Sequence, residues 1–367
     1  MCPPSRTGEP IGSPLHDIRR RRLLRGNGDI RRQRTSASHG RSVMPSKISS
    51  LWVKIAGFGL ILPFIACVAA AQDSRAVVRL SSPGLGSMYT MPFQIAQEQG
   101  FYRDEGLDVR ILGGVRTAPS IQMLVGGNVE VSQTVGTTTL AAILQGAPLK
   151  VVMIFNDKPA YALYAKKSIR NFSELKGAKV ASITPGSTGD RLLKIVLEKN
   201  GVNWKKDLQI IYIGTSDVLI KSLLSDSVDA AVLSFPGNLI AKDAGFMELA
   251  SFAGEVGALT GGVATGEPFF SKKRDVLTRF LRATLRGLKF LKSNRDGSAK
   301  IMTKFMNLPL DSALRTYDVS IPAFVSDGVL SEDFQDKVLD FQLKAIGSDK
   351  KITRDKYFDF SIVKSLR

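Results

Sequence analysis

From residue 76 onward, short apolar runs rich in β-branched residues alternate with stretches whose apolar positions recur every three or four residues. "AVVRLSS" (76–82) precedes the helix pattern "TMPFQIAQEQG" (90–100), and "DVRILGG" (108–114) precedes "PSIQMLVGG" (119–127). "VEVSQTV" (129–135) leads into "TTTLAAILQG" (137–146), and "LKVVMIFND" (149–157) follows. A second series opens with "AKVASIT" (178–184) and a helix over 187–200. It continues through "LQIIYIG", "DVLIKSLLSDS", "DAAVLSF", "GNLIAKDAG" and "FMELASF", ending at 252. Strands separated by single helices predict right-handed βαβ units and a mostly parallel sheet. There are too many strands for one compact sheet, so two α/β domains are expected.

An internal repeat supports two related halves. Residues 121–146 align without a gap on 220–245 at a constant offset of 99, with Ile121 on Ile220, Leu124 on Leu223, Leu140 on Leu239 and Gly146 on Gly245. Beyond 270 the pattern becomes helical. Val276, Leu277, Phe280, Leu281, Leu285, Leu288 and Phe290 form a stripe of period 3.6 opposite a basic face. A further helix is predicted over 331–347 with Ser331 as its N-cap. Both helices read as packing on a sheet with their Lys and Arg in solvent, so neither a membrane nor a nucleic acid is expected as partner.

The N-terminus changes the picture. Residues 1–54 carry 12 Lys/Arg against three Asp/Glu, which is half of the net charge of +18 over 367 residues. Its segment "RRRRLLRGNGDIRRQR" has no apolar period and predicts no core. Lys47 and Lys54, the apolar run 55–71 and Ala69-Ala70-Ala71 then form a secretory signal pattern over 44–71, cleaved near Ala71. The alternative, a membrane span, is disfavoured because the run is short for a core about 30 Å thick and holds Pro63. Lipidation at Cys67 is a weaker option, since Phe64 stands where a small aliphatic residue is usual. Residues 1–43 read as an over-long start ahead of Met44; a transit peptide and a nucleic-acid-binding tail are the rivals.

Cleavage would remove all of Cys2, Cys67, His16 and His39. The remaining chain could then form no disulfide, use no Cys or His nucleophile or imidazole base, and offer none of the usual zinc or copper ligands. No metal, cofactor or catalytic residue is expected. Parallel sheets take ligands beyond the carboxyl ends of their strands. That rule selects Tyr89, Gly136-Thr137-Thr138, Asn156, the turn Thr184-Pro185-Gly186-Ser187-Thr188, and Ser234-Phe235. In "TPGSTGD" Gly189 is followed by Asp190, not the Lys of a phosphate loop, and the spacing is not GxGxxG. Ser187 and Thr188 could hold an anion or polar group at a helix start, or simply cap the helix.

The stretches "MPFQIAQEQGFYRDEGLDVRIL" (91–112), "GGNVEVSQTVG" (126–136), "PGSTGDRLLKIVLEKNGVNWKKDLQIIYIG" (185–214) and "DAAVLSFPGNLIAKDAGFMELA" (229–250) resemble periplasmic solute-binding proteins of ABC transporters. The nitrate/sulfonate/taurine type is the nearest group; it shares its domain with thiamine-pyrimidine-precursor synthases. The resemblance implies an α/β, two-lobed periplasmic binding protein fold of type II with two crossover hinge segments. It places lobe 1 at 72–165 plus 261–367, lobe 2 at 166–260, and the crossovers near 161–166 and 260–265.

It also implies that Ser187 and Thr188 meet a ligand's anionic group and that Thr137 and Thr138 line the cleft. Ser234 and Phe235 would stand at the second-lobe strand end, where relatives often carry Ser-Pro-Pro; Phe235-Pro236 departs from that. Tyr89 and Phe235 are a candidate aromatic sandwich for a planar ring. The expected function is capture of a small anionic or heteroaromatic solute by a periplasmic monomer and delivery to an ABC permease subunit in the inner membrane. A pyrimidine-precursor synthase-like enzyme and a ligand-sensing domain are the alternatives.

Overall fold

A computed structural model describes residues 75–255 and 257–366. The basic extension, the signal pattern and Cys67 lie outside those residues. The first half of the described chain runs β1 (Ala76–Ser81), α1 (Met91–Glu98), α2 (Phe101–Asp104), β2 (Leu107–Leu112), α3 (Thr117–Val125), β3 (Val131–Ser132), α4 (Thr137–Leu144) and β4 (Leu149–Ile154). Next come β5 (Tyr161–Ala165), β6 (Lys179–Ser182), α5 (Thr188–Lys199), β7 (Gln209–Tyr212), α6 (Ser216–Leu224), β8 (Ala230–Ser234), α7 (Gly237–Asp243) and β9 (Met247–Ser251). The last part holds β10 (Gly262–Gly266), α8 (Glu267–Lys272), α9 (Arg274–Ser293), α10 (Arg295–Met306), α11 (Leu310–Ser320), α12 (Glu332–Ala345), α13 (Arg354–Tyr357) and α14 (Ser361–Ser365).

The strands form two five-stranded sheets, ordered β2-β1-β3-β10-β4 and β7-β6-β8-β5-β9. β1 pairs in parallel with β2 and β3, and β6 with β7 and β8. The fourth strand of each sheet, β10 or β5, is antiparallel to both its neighbours. Each of these is the first strand after the chain passes between sheets, so it enters from the opposite direction. The passages therefore lie at 155–160 and 252–261. The stretches predicted as crossovers, 161–166 and 260–265, are mostly strands instead. Their apolar sequences, "YALYA" and "GVATG", are recruited into the sheet they reach.

The offset of 99 has a structural counterpart. It carries α3 onto α6 end to end, and the start of β3 onto the start of β8. Helices cover both sheets. Of the predicted α9 stripe, Leu277, Phe280, Leu281, Leu285 and Leu288 are buried in the first sheet's core, beside Phe93 and Ile95 of α1. Gly287 lets the two helices touch: a Cβ there would lie 2.1 Å from Pro92 O. The second sheet has one cluster around Leu192, Leu193 and Val232 and another around Leu219, Leu223 and Leu233. Ser331 caps α12, its Oγ accepting from Phe334 N at 3.3 Å. Phe341 of α12 reaches the second sheet's core.

Candidate functional site

The carboxyl ends of the parallel strands in both sheets face one cavity of about 90 Å³. Gln133, Thr134 and Gly136 enter it after β3, Ser187 and Thr188 after β6, Thr215 and Asp217 after β7, and Ser234 at the end of β8. The convergence follows from the topology, since βαβ units put every strand-to-helix turn at one end of a sheet.

The turn before α5 shows how local chemistry shapes the wall. Gly186 adopts φ +76, a left-handed conformation that glycine takes without strain. Ser187 is the N-cap, its Oγ accepting from Asp190 N at 3.3 Å. The fully buried Asp190 carboxylate accepts from Gly186 N (2.8 Å), Lys194 Nζ (2.8 Å) and the Tyr212 hydroxyl (3.1 Å). Asp190 thus satisfies one of the free N–H groups of the turn from within, and Lys194 balances its charge.

Hydrogen bonds join the two lobes around the cavity. Thr137 Oγ1 donates to Gly186 O at 2.9 Å, and the Thr117 and Thr184 hydroxyls lie 3.2 Å apart. Thr188 Oγ1 donates to Leu259 O, in the return passage, at 3.1 Å. The lobes stand closed on each other. Where the chain passes between sheets, the buried Asn156 side chain donates to Lys158 O and accepts from Gly261 N, both at 2.8 Å. It ties the outward passage to the return.

The lining is rich in hydroxyls and, among the described residues, contains no Lys or Arg. Its carboxylate, Asp217, is solvent-exposed. Gln133 is 4% exposed, and its Oε1 accepts from the Ser82 hydroxyl at 2.5 Å. That bond fixes the amide's orientation and leaves Nε2 as the donor available to the cavity. Tyr89 and Tyr161 form one aromatic wall, with ring centroids 6.3 Å apart and planes inclined by 46°. Tyr89 Oη accepts from Ala160 N at 2.9 Å. Burial pushes the Tyr89 hydroxyl up to about 12, against the opposing pull of Thr260 and Ala160, and burial also raises Tyr161.

Of the residues selected from sequence, Tyr89, Gly136, Thr138, Ser187, Thr188 and Ser234 line the cavity. Thr137 and Thr184 are used in the bonds between lobes, and Asn156 in the staple between passages. Gly186 borders a neighbouring groove. Phe235 lines a separate hollow with Asn238 and Pro322, so the Tyr89–Phe235 sandwich is not formed. Tyr161 stands beside Tyr89 instead, and the two rings are too close to admit a third between them. Gln133, Thr134, Tyr161, Asp217 and Thr260 escaped selection. The strand-end rule points to Gln133 and Thr134, which directly follow β3. Tyr161 carried no signal because its position depends on where the chain crosses.

The pattern of the NMT1/THI5-like family matches residues 87–298. A riboflavin-binding protein of Chloroflexus aurantiacus is 24% identical over 252 residues, 64% of this chain and 68% of that protein. A 4-amino-5-hydroxymethyl-2-methylpyrimidine phosphate synthase of Saccharomyces cerevisiae is 26% identical over 147 residues, and the match spans 39% of this chain and 42% of the yeast protein. The periplasmic aliphatic sulphonate binding protein SsuA of Escherichia coli superposes with a TM-score of 0.60 at 19% identity, covering 78% of this chain and 92% of SsuA. The fold is that of the periplasmic binding proteins.

Proposed function

This chain belongs to the NMT1/THI5-like family, and from that premise we propose that it is a non-catalytic, exported solute-binding protein. It takes a small solute into the interlobe cavity and passes it to an ABC permease in the inner membrane. The carrying observation is the cavity itself, formed by equivalent strand-end turns of two lobes that meet around it. A hinge motion of such lobes gives a partner two distinct shapes to read.

The lining favours a heteroaromatic solute over a bare anion. Without a lining Lys or Arg, an anion would depend on hydroxyls and helix N-termini alone, and Asp217 would oppose it. A flat ring can instead stack on the Tyr89–Tyr161 wall, accept from Gln133 Nε2, and donate to the hydroxyls or Asp217. At about 10–15 Å³ per water for such a volume, the closed cavity has room for roughly six to nine water-sized atoms. A one-ring solute matches that space; a three-ring flavin requires the lobes to stand further apart. The synthase alternative would have to work without histidine or cysteine, because none occurs after residue 67.

A thermal-shift series on the purified 72–367 chain tests this reading. It would include hydroxymethylpyrimidine, thiamine, riboflavin, aromatic carboxylates, taurine, alkyl sulfonates and nitrate. A cognate ring at about 100 times its Kd should add about 2.7 kcal/mol of stability. Gln133→Leu should weaken binding at least tenfold, and the solute should be recovered chemically unchanged. A converted solute would establish an enzyme. A series with no shift at all would sink the carrier reading.

A further inference from the structure

Beside the cavity, across Thr138, lies a groove of about 390 Å³ between the lobes. Lobe 1 contributes Thr138, Gln145, Ser348 and Lys350; lobe 2 contributes Gly186 and Arg191. Among the described residues the two cations are the groove's charged side chains, and no carboxylate lines it. Lys350 Nζ donates to Leu144 O, at the end of α4, at 3.1 Å. Arg191 Nε is buried without a hydrogen-bond partner, and among the described residues no carboxylate pairs with this guanidinium. Its sequence neighbour Asp190 is directed to Lys194, Tyr212 and Gly186 N instead. A Cβ on Gly186 would come 3.6 Å from Arg191 Nη2, so the turn and the guanidinium share one wall. With no carboxylate to neutralise it, the half-buried Arg191 leaves its terminal N–H donors for an acceptor that enters the groove.

We infer that this groove is an oxyanion site, taking a phosphate, sulfonate or carboxylate group between Arg191 and Lys350. Two oxygens of such a group match the two-pronged donor of Arg191, while Lys350 adds a point charge from the other lobe. The bound group would bridge the lobes and favour the closed state. Thr138 borders both spaces, so the oxyanion is either the tail of a solute whose ring lies in the cavity or a free ion. The first source rests on the solute-binding reading above; the second does not.

Calorimetric titration of the 72–367 chain with inorganic phosphate, benzyl phosphate and benzyl alcohol tests the inference and separates the sources. Phosphate and benzyl phosphate should bind, and Arg191→Ala and Lys350→Ala should each weaken them at least tenfold. Arg191→Lys should recover part of the loss, which a merely structural role would not predict. If the ring and the anion share one ligand, benzyl phosphate should bind at least tenfold tighter than phosphate, and Tyr161→Ala should erase that advantage. If the site serves a free ion, phosphate and benzyl phosphate should bind alike and ignore Tyr161→Ala. Phosphate binding that needs Arg191, with no ring solute bound, would keep the oxyanion site and refute the carrier reading. Equal binding to the wild type and both alanine variants, or no binding of either anion at millimolar concentration, would overturn the inference.

Discussion

Tyr89 and the other buried tyrosines make the fold sensitive to alkali. Burial holds the Tyr89 hydroxyl up at about 12 and raises Tyr102, Tyr161 and Tyr357 as well. In the unfolded chain they titrate near 10. Above that pH the unfolded chain releases protons that the folded chain retains. Stability is therefore full below about pH 10 and falls as pH rises toward 12. The loss is up to about 1.4 kcal/mol per tyrosine per pH unit. Urea midpoints at pH 9 and pH 11 should show the fall, and Tyr89→Phe should make it shallower. Equal slopes for the two proteins would mean that Tyr89 ionises near its ordinary value.

At the scale of elements, the contact of α1 with α9 turns on Gly287. An alanine in a helix interior is favoured over glycine by about 1 kcal/mol. Here the added Cβ would fall 2.1 Å from Pro92 O and 3.2 Å from Ala96 Cβ. Overpacking of this kind costs about 1–3 kcal/mol, and with backbone as the obstacle the upper part of that range applies. Gly287→Ala should therefore lower the melting temperature; a rise would show that the helices can separate at little cost. Helix α9 was legible in advance because its apolar stripe obeys one period over 20 residues. β3 pairs over only two residues, although the apolar run in the sequence extends over 129–135. Apolar alternation marks a stretch that can pair, but the neighbouring strands limit how much of it does.

For the whole molecule the decisive contact is Gly136 against the opposite lobe. A Cβ there would lie 2.2 Å from Thr188 Oγ1 and 2.8 Å from Leu259 O. Its φ of −98 is open to any residue, so Gly136→Ala acts through the contact rather than through backbone strain. The variant should fold normally, scatter X-rays with a larger radius of gyration, and bind solute at least tenfold more weakly. Adding Thr188→Ala should restore closure only in part, since Leu259 O remains. An unchanged radius of gyration would mean that the lobes absorb the extra methyl without opening.

The sequence by itself determined the element types, the two related halves and the strand-end turns. All of these follow from apolar periodicity and from the geometry of βαβ units, which are local. It also pointed to part of the cavity lining: Tyr89, Gly136, Thr138, Ser187, Thr188 and Ser234. Tertiary structure decided which turn residues meet the cavity and which hold the lobes together. Thr137 and Thr138 are adjacent and chemically alike. Both border the basic groove, but one donates to Gly186 O while the other also lines the cavity. The pairing of Tyr161 with Tyr89 and the meeting of Arg191 with Lys350 likewise depend on where the chain crosses and how the lobes close. Those are long-range relations, and no local pattern of residues encodes them.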